Sequence, residues 1–482
     1  MKLEVTIKQI VVLLALLSVI SLLGNAQSNL VFYHAEDQFN TSNFNPAFLT
    51  TQHEFTFSIF PLAGMSFGFN NQEVIKDVMT QFLQGSQTTE DFKGVFNSLV
   101  KQNLFFLNYE TNLLSLGYNS DFGSFSFRIR ENVLLMTDFK GDLSDFLMSP
   151  TFQNMAIDQP QLFGAEAIHY REYSLGFAKE IIKDKLTVGG RAKIYYGKSI
   201  LFSEVSGKII ERADTFYTQI AGPMRLSIPA NPDFEDGYLR DLNLANDFDF
   251  GGYITNARNI GVGIDFGFKY KVTPEIELSA SVIDLGRIKW KQNINTLIFN
   301  DEYPFPEENI DIKINENGVP VLTKFNDKPL ADTISFSLTL DETAFSKPLP
   351  TTIYAGLKYQ VNPKLQIGVV DRFSKTKGLN YNSFSLTAHY TANKKLSINT
   401  GYSIIGNSFA NIPIAILYKR DGGQTYLGTD NVLSFLSKSS DFSAISFGTC
   451  FYLFTGKVKY KDPIEYLPFY KERKPKLFSK KG

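Results

Sequence analysis

From Val262 to Val272 apolar and polar positions alternate without a break. Val262, Ile264, Phe266, Phe268, Tyr270 and Val272 fall on one parity; Gly263, Asp265, Gly267, Lys269 and Lys271 fall on the other. Side chains on a strand point to opposite faces with period two, so this segment predicts a strand with one apolar and one small or charged face. The pattern recurs. Leu186, Val188, Ala192 and Ile194 oppose Thr187, Gly189, Arg191 and Lys193, and Phe125, Phe127 and Ile129 oppose Ser124, Ser126, Arg128 and Arg130. Ile353, Ala355, Leu357, Tyr359 and Val361 oppose Thr352, Gly356, Lys358 and Gln360, while Phe384, Leu386, Ala388 and Tyr390 oppose Ser383, Ser385, Thr387 and His389.

Many of these runs last about ten residues, enough to cross a bilayer at a tilt of roughly 45°, whereas ordinary globular strands cluster at about five or six. Short turns at 182–185, 272–275, 361–364 and 392–395 carry Pro, Asn or Asp, which suit turn dihedrals. Much longer polar segments lie around 203–258 and 291–348. Short turns on one side and long loops on the other predict an all-β fold, a transmembrane antiparallel β-barrel of about 14 strands, within 12–16. Two stretches break the pattern. Residues 72–101 have helix-like apolar spacing, read here as an ordered external loop in preference to a plug or lateral cap, and 138–149 suggest another short helix.

The first residues fit export. Lys2 and Lys8 precede an apolar run from Ile10 to Leu23, followed by Gly24-Asn25-Ala26. A charged start, a short apolar core and small residues at the cut read as a signal peptide, 1–26, cleaved after Ala26. The barrel is then expected over 27–456. Residues 457–482 hold nine Lys and Arg against three acidic residues, a basic periplasmic tail. The expected location is the outer membrane.

Composition adds limits. Phe and Tyr number 44 and 23, which suits strands apolar on one face. The net charge of −1 gives no electrostatic case for nucleic acid. Cys450 is the lone cysteine, so no intrachain disulfide or cysteine zinc site is encoded. Gly261-Val262-Gly263 with Gly267 misses the dinucleotide spacing and lies within a strand. His34, His53, His169 and His389 are scattered, and although His389 falls on the polar parity of its strand, no spacing nominates a nucleophile beside it. No catalytic residue, metal site or cofactor is nominated, and the chain is not expected to be an enzyme. Acidic loop patches, Asp233 to Asp249 and Asp301 to Glu308, lack calcium-loop spacing.

The charged parity positions are the better functional clue. Arg128, Arg130, Arg191, Lys193, Asp265, Lys269 and Lys358 are expected to face the lumen. There they either pair and plug it or recognise the head group of an amphipathic solute, for which an Arg fork suits a carboxylate.

One resemblance adds to this. Asn45-Pro46-Ala47-Phe48, then Phe60-Pro61-Leu62-Ala63-Gly64, then Ser281-Val282-Ile283-Asp284-Leu285-Gly286-Arg287-Ile288-Lys289-Trp290, in this order, resemble a Bacteroidetes family of uncharacterised outer-membrane barrels grouped with the FadL-like fatty-acid transporters. Asn45, Pro46, Asp284, Gly286 and Trp290 carry it, over about residues 30 to 455. The resemblance implies a barrel in the outer membrane and no settled substrate; relatives include accessory barrels of secretion. The tail departs from barrels that end on an aromatic residue. Two functions stay open: uptake or binding of a hydrophobic or amphipathic small molecule, with membrane lipid as surroundings, and a non-transporting scaffold for envelope or periplasmic proteins in secretion or gliding. A secreted β-sandwich adhesin is disfavoured by the strand lengths.

Overall fold

The computed structural model describes residues 29–453 except 36–37, 50–54, 71–103, 140–157, 213–214, 228–229, 236–237, 245–249, 306–310, 315–319, 325–338, 342, 377–378, 406–407 and 437–441. The expected signal peptide, the helical stretch at 72–101, most of 138–149, and the basic tail lie outside the described residues. Residues 138 and 139 end a strand.

The wall is a closed antiparallel barrel of fourteen staves. It opens with β1 (Phe55–Ile59) and β2 (Met65–Asn70), two halves of one interrupted stave. β3 (Leu104–Ser120), β4 (Gly123–Phe139), β5 (Asp158–Ile182) and β6 (Leu186–Arg212) follow. Next come β7 (Thr215–Ser227), a hairpin of β8 (Ala230–Glu235) and β9 (Tyr238–Leu244), and helix α1 (Phe250–Thr255). β10 (Asn259–Lys271) and β11 (Ile276–Trp290) return to the membrane, and β12 (Ile294–Phe305) continues β11 outward. A small hairpin, β13 (Asp311–Ile314) and β14 (Pro320–Lys324), precedes β15 (Thr339–Asp341), β16 (Phe345–Pro348) and β17 (Thr351–Asn362). β18 (Leu365–Thr376), β19 (Leu379–Thr391), β20 (Leu396–Ile405), β21 (Ser408–Asn411), β22 (Ile414–Arg420) and β23 (Gly423–Thr429) complete the circuit, with a short helix α2 (Leu433–Leu436) before β24 (Phe442–Leu453). β24 closes on the first stave, Phe55 opposite Leu453 and Met65 opposite Phe447.

The expected turns stand where the sequence placed them: β5–β6, β10–β11, β17–β18 and β19–β20 are all tight. They share one end of the barrel, the periplasmic end by the rule that short turns face inward. The long segments differ from the expectation of plain loops. β6 runs on to Arg212 and pairs with β7, and β7 pairs with β12, so the sheet continues as a wall beyond the apolar belt. A paired ribbon satisfies its own backbone groups, which a 50-residue loop would leave to water.

Alternation sorts the two faces. Val262 is 63% and Phe266 58% exposed, while Asp265 between them is buried. Leu175, Leu386, Ile416 and Leu427 also point outward and are exposed. An apolar outer surface of this extent is stable only against hydrocarbon, and a closed sheet leaves no unpaired edge there. The protein is a transmembrane β-barrel.

Candidate functional site

The lumen is filled, first by a segment that the hydropathy pattern did not reveal. Residues 29–49 enter the barrel as three single 3₁₀ turns: Leu30–Phe32, Phe39–Asn43 and Pro46–Phe48. Leu30, Val31, Phe32, Tyr33 and Ala47 are fully or almost fully buried. This plug crosses the whole bore, packing at one end on Ala415, Leu417 and Tyr426 and at the other on β5, β6 and β10.

Asn45 and Pro46 seat one end of it. The Asn45 side chain caps its turn by accepting from Ala47 N at 2.9 Å, and its amide donates to the wall carbonyls of Phe268 (3.0 Å) and Ala280 (3.2 Å). Two wall glycines make the seat possible: a Cβ at Gly267 would strike the Asn45 carboxamide, and one at Gly189 would strike the Pro46 carbonyl. Tyr33 bonds Ser279 at 3.1 Å, His34 bonds Thr387 at 3.0 Å and Asn40 donates to Tyr426 at 3.0 Å.

Against the plug lies a belt of charge. Arg128, Arg130, Arg191, Lys193 and Asp265 come together there with Glu110, Glu172 and Asp284. Glu172, fully buried, takes Arg130 at 2.7 Å and Arg128 and Lys193 at 3.4 Å. Asp265 takes Lys193 at 2.9 Å and Arg191 at 3.0 Å; Asp284 takes Lys193 at 2.6 Å; Glu110 takes Arg130 at 3.2 Å. Four cations thus meet four carboxylates on six adjacent staves. Ions taken from water need such pairing, since an uncompensated buried charge costs about 3–5 kcal/mol when its partner is removed. The other two charged positions lie apart: Lys358 pairs with Glu277 at 2.9 Å, and Lys269 lines a cleft of about 370 Å³ at the periplasmic mouth with Lys185, Lys271 and Glu277.

Asp284 reaches the belt through a backbone irregularity. It has φ +58°, and the β10–β11 register slips between Ile264 and Phe266, so two residues of β11 oppose one of β10. Asp265 accepts the freed Asp284 N–H at 2.8 Å. Such a bulge re-aims side chains. Before it, Ser279, Ser281 and Ile283 face inward; after it the parity flips, and Ile288 and Trp290 do.

That flip changes the character of the lumen. On the outer side of the belt, Ile168, Tyr170, Tyr195, Ile200, Phe202, Ile288, Trp290 and Leu349 form an apolar cluster within the bore. The lumen thus holds aromatic and aliphatic side chains as well as the charged ones expected from alternation. Trp290, 0% exposed, stacks on Phe345 at 6.4 Å and closes over Gly197, while Gly286 lets β11 lie against Tyr195. Lys347 pairs with Glu166 at 3.0 Å and caps Phe202 at 4.3 Å from the ring centroid.

Beside the plug is a cavity of about 60 Å³. Phe32, Phe44, Met65 and Tyr426 form its apolar part, and Arg130, Glu110, Asn40 and Asn112 its polar part. It reaches Gly64 and Met65, where the first stave is interrupted between Ile59 and Met65 and exposes Ile59, Phe60 and Leu62 outward. His389, the histidine singled out by its parity, hydrogen-bonds Asn399 and, at 3.4 Å, Thr391.

The sequence pattern of a family of unknown function, DUF5723, matches residues 46–430, from the plug's Pro46 through the last wall hairpin but one strand. The chain belongs to this family. The match takes in the belt, the bulge and the aromatic cluster. No curated protein matches the chain. Similar solved structures include the toluene transporter TbuX of Ralstonia pickettii, at TM-score 0.38 and 11% identity over 84% of this chain and 91% of that one. The Pseudomonas putida toluene transporter TodX gives 0.34 and 9% over 86% and 93%, and a Pseudomonas aeruginosa FadL homologue 0.34 and 10% over 85% and 92%.

Proposed function

We propose that the barrel binds a hydrophobic or amphipathic small molecule within its lumen and passes it across the outer membrane when the plug moves. The observation that carries this reading is the apolar cluster around Trp290 inside the bore, with a charged belt directly beneath it. The aromatic rings offer an apolar body a surface to pack on and the belt offers a polar end its partners, so a solute with both parts fits the two zones. The cavity beside the plug repeats this pairing on a small scale, Phe32, Phe44 and Met65 facing Arg130 and Glu110. At about 60 Å³ it is far below the roughly 300 Å³ that a small-molecule pocket needs. Passage therefore requires residues 29–49 to shift, and their contacts with the wall hold the closed state. The Trp290 indole N–H has no acceptor among the described residues and supplies a donor to a polar atom of the solute.

Trp290 is the chain's one tryptophan, so its fluorescence reports on this cluster alone. The barrel is titrated in detergent with a brominated fatty acid and, separately, with a brominated detergent that coats the outer wall. Saturable quenching by the fatty acid alone supports the reading. Equal quenching by both, or by neither, removes it.

A further inference from the structure

The geometry points to a second ligand site, on the outside of the wall: a seat for a phosphorylated lipid headgroup formed by Arg258, Arg287, Lys289 and Lys375. All four are exposed. Arg287 and Lys289 alternate with the lumen-facing Gly286, Ile288 and Trp290, so they project outward. Arg258 shares the outward parity of Ile260, and Lys375 that of Phe373, which stands opposite the exposed Ile353.

Register brings Arg287, Lys289 and Lys375 onto neighbouring staves, and Arg258 immediately precedes β10 beside them. Arg287 lies opposite Val262 on one side and Pro348 on the other; Lys289 lies opposite Ser346; Lys375 lies opposite Thr351. The row spans β10 to β18 and stands at the outer edge of the apolar belt, with Val262, Leu285 and Ile353 beneath it. No described carboxylate is within ion-pair distance of any of the four.

The neighbouring outer-wall charges behave differently. Arg171 donates to Glu131 at 2.6 Å, Glu131 bonds His169 at 2.8 Å, and His169 holds Tyr253 of α1 at 2.6 Å. Lys198 donates to the Asn256 carbonyl at 2.5 Å. Those groups clasp α1 to the wall, and burial raises the Tyr253 hydroxyl above its ordinary pKa, keeping it a donor. Among the described residues the row of four has no such internal task. Nor is it a general feature of the rim: at the far side of the barrel, the corresponding edge carries exposed Phe409 and Ile412.

Four cations without a carboxylate partner among the described residues, above exposed aliphatic side chains, match one chemistry, an anionic phosphate attached to acyl chains. The chains lie on Val262, Leu285 and Ile353, and the guanidinium and ammonium groups rise along their own aliphatic stems to the phosphate.

Native mass spectrometry of the full-length barrel in detergent tests this, with dioleoyl phosphatidic acid as probe and dioleoylglycerol, which shares its chains but lacks the phosphate, as control. Retention of phosphatidic acid but not of dioleoylglycerol is expected, with about a tenfold or greater loss of retention in the R258Q/R287Q/K289Q/K375Q variant. Substituting Lys183, Lys185 and Lys271 at the opposite rim by Gln leaves retention unchanged. Heat-modifiable gel mobility confirms that each variant is folded. Equal retention of both lipids, unaltered retention in the quadruple variant, or full competition by inorganic phosphate would overturn the assignment. The outcome is independent of Trp290 quenching, which reads the lumen.

Discussion

The Arg191 guanidinium donates to the Ser42 carbonyl at 2.8 Å while its other terminal nitrogen meets Asp265 at 3.0 Å. One side chain thus joins the plug to the charged belt, and neither element is positioned independently of the other.

Arg191→Gln therefore acts at both places. It removes a buried cation from Asp265 and a bond from the plug, an expected loss of about 3–5 kcal/mol in barrel stability. Denaturant unfolding of detergent-solubilised protein, followed by gel mobility, checks the magnitude. The plug contains no Lys or Arg but does contain Phe39, Phe44 and Phe48, so chymotrypsin is the protease to use. Faster cleavage within 29–49 in the variant is expected; an unchanged cleavage rate argues that Arg191 does not secure the plug.

Gly267→Val places a side chain where the Asn45 carboxamide now lies. The wall stave is fixed by pairing on both edges, so the plug is the part that yields. The expected result is raised single-channel conductance in planar bilayers together with greater sensitivity of cells to bulky antibiotics. Asn45→Gly in the same chain frees the space and returns conductance part of the way to the parent value. Asn45→Ala alone loses three hydrogen bonds, each worth about 1 kcal/mol, and gives a smaller leak.

The outer wall of the barrel was legible because its physics is repetitive: one parity meets hydrocarbon, and Val262 to Val272 says so residue by residue. The belt residues were legible for the same reason, since Arg128, Arg130, Arg191, Lys193 and Asp265 sit on the opposite parity. Their partner Glu172 escaped notice, although it alternates with Tyr173 and Leu175 in the same way. The plug was not legible: isolated 3₁₀ turns have neither the period of a helix nor that of a strand, and the Asn-rich run around Asn40 to Asn45 reads as loop. The aromatic lumen was hidden by the bulge at Asp284. Ile288 and Trp290 share the sequence parity of Ala280 and Val282, so unbroken alternation places them outward; the break shows only as Asp284 on the apolar parity and Leu285 on the polar one.

Phe266→Lys tests the outward assignment. Phe266 lies in the middle of the exposed set from Val262 to Tyr270, and a lysine there at the bilayer midplane costs about 2–4 kcal/mol. Urea titration of refolding into phosphatidylcholine vesicles measures it. A stability equal to that of the parent would place this face away from lipid.

Glu172→Gln tests whether the belt is held by charge balance. The substitution preserves shape but leaves Arg128, Arg130 and Lys193 facing an amide in place of their shared carboxylate, an excess of one positive charge in a site without water-like screening. A loss of several kcal/mol is expected, about 3–5 by the same argument, and it should appear in the denaturant midpoint. Removing one cation as well restores the balance: Glu172→Gln with Arg128→Met should recover a large part of the loss, because Lys193 keeps Asp265 and Asp284 and Arg130 keeps Glu110. If the double variant is instead the sum of the two single losses, the belt is a set of separate contacts and the balance argument fails.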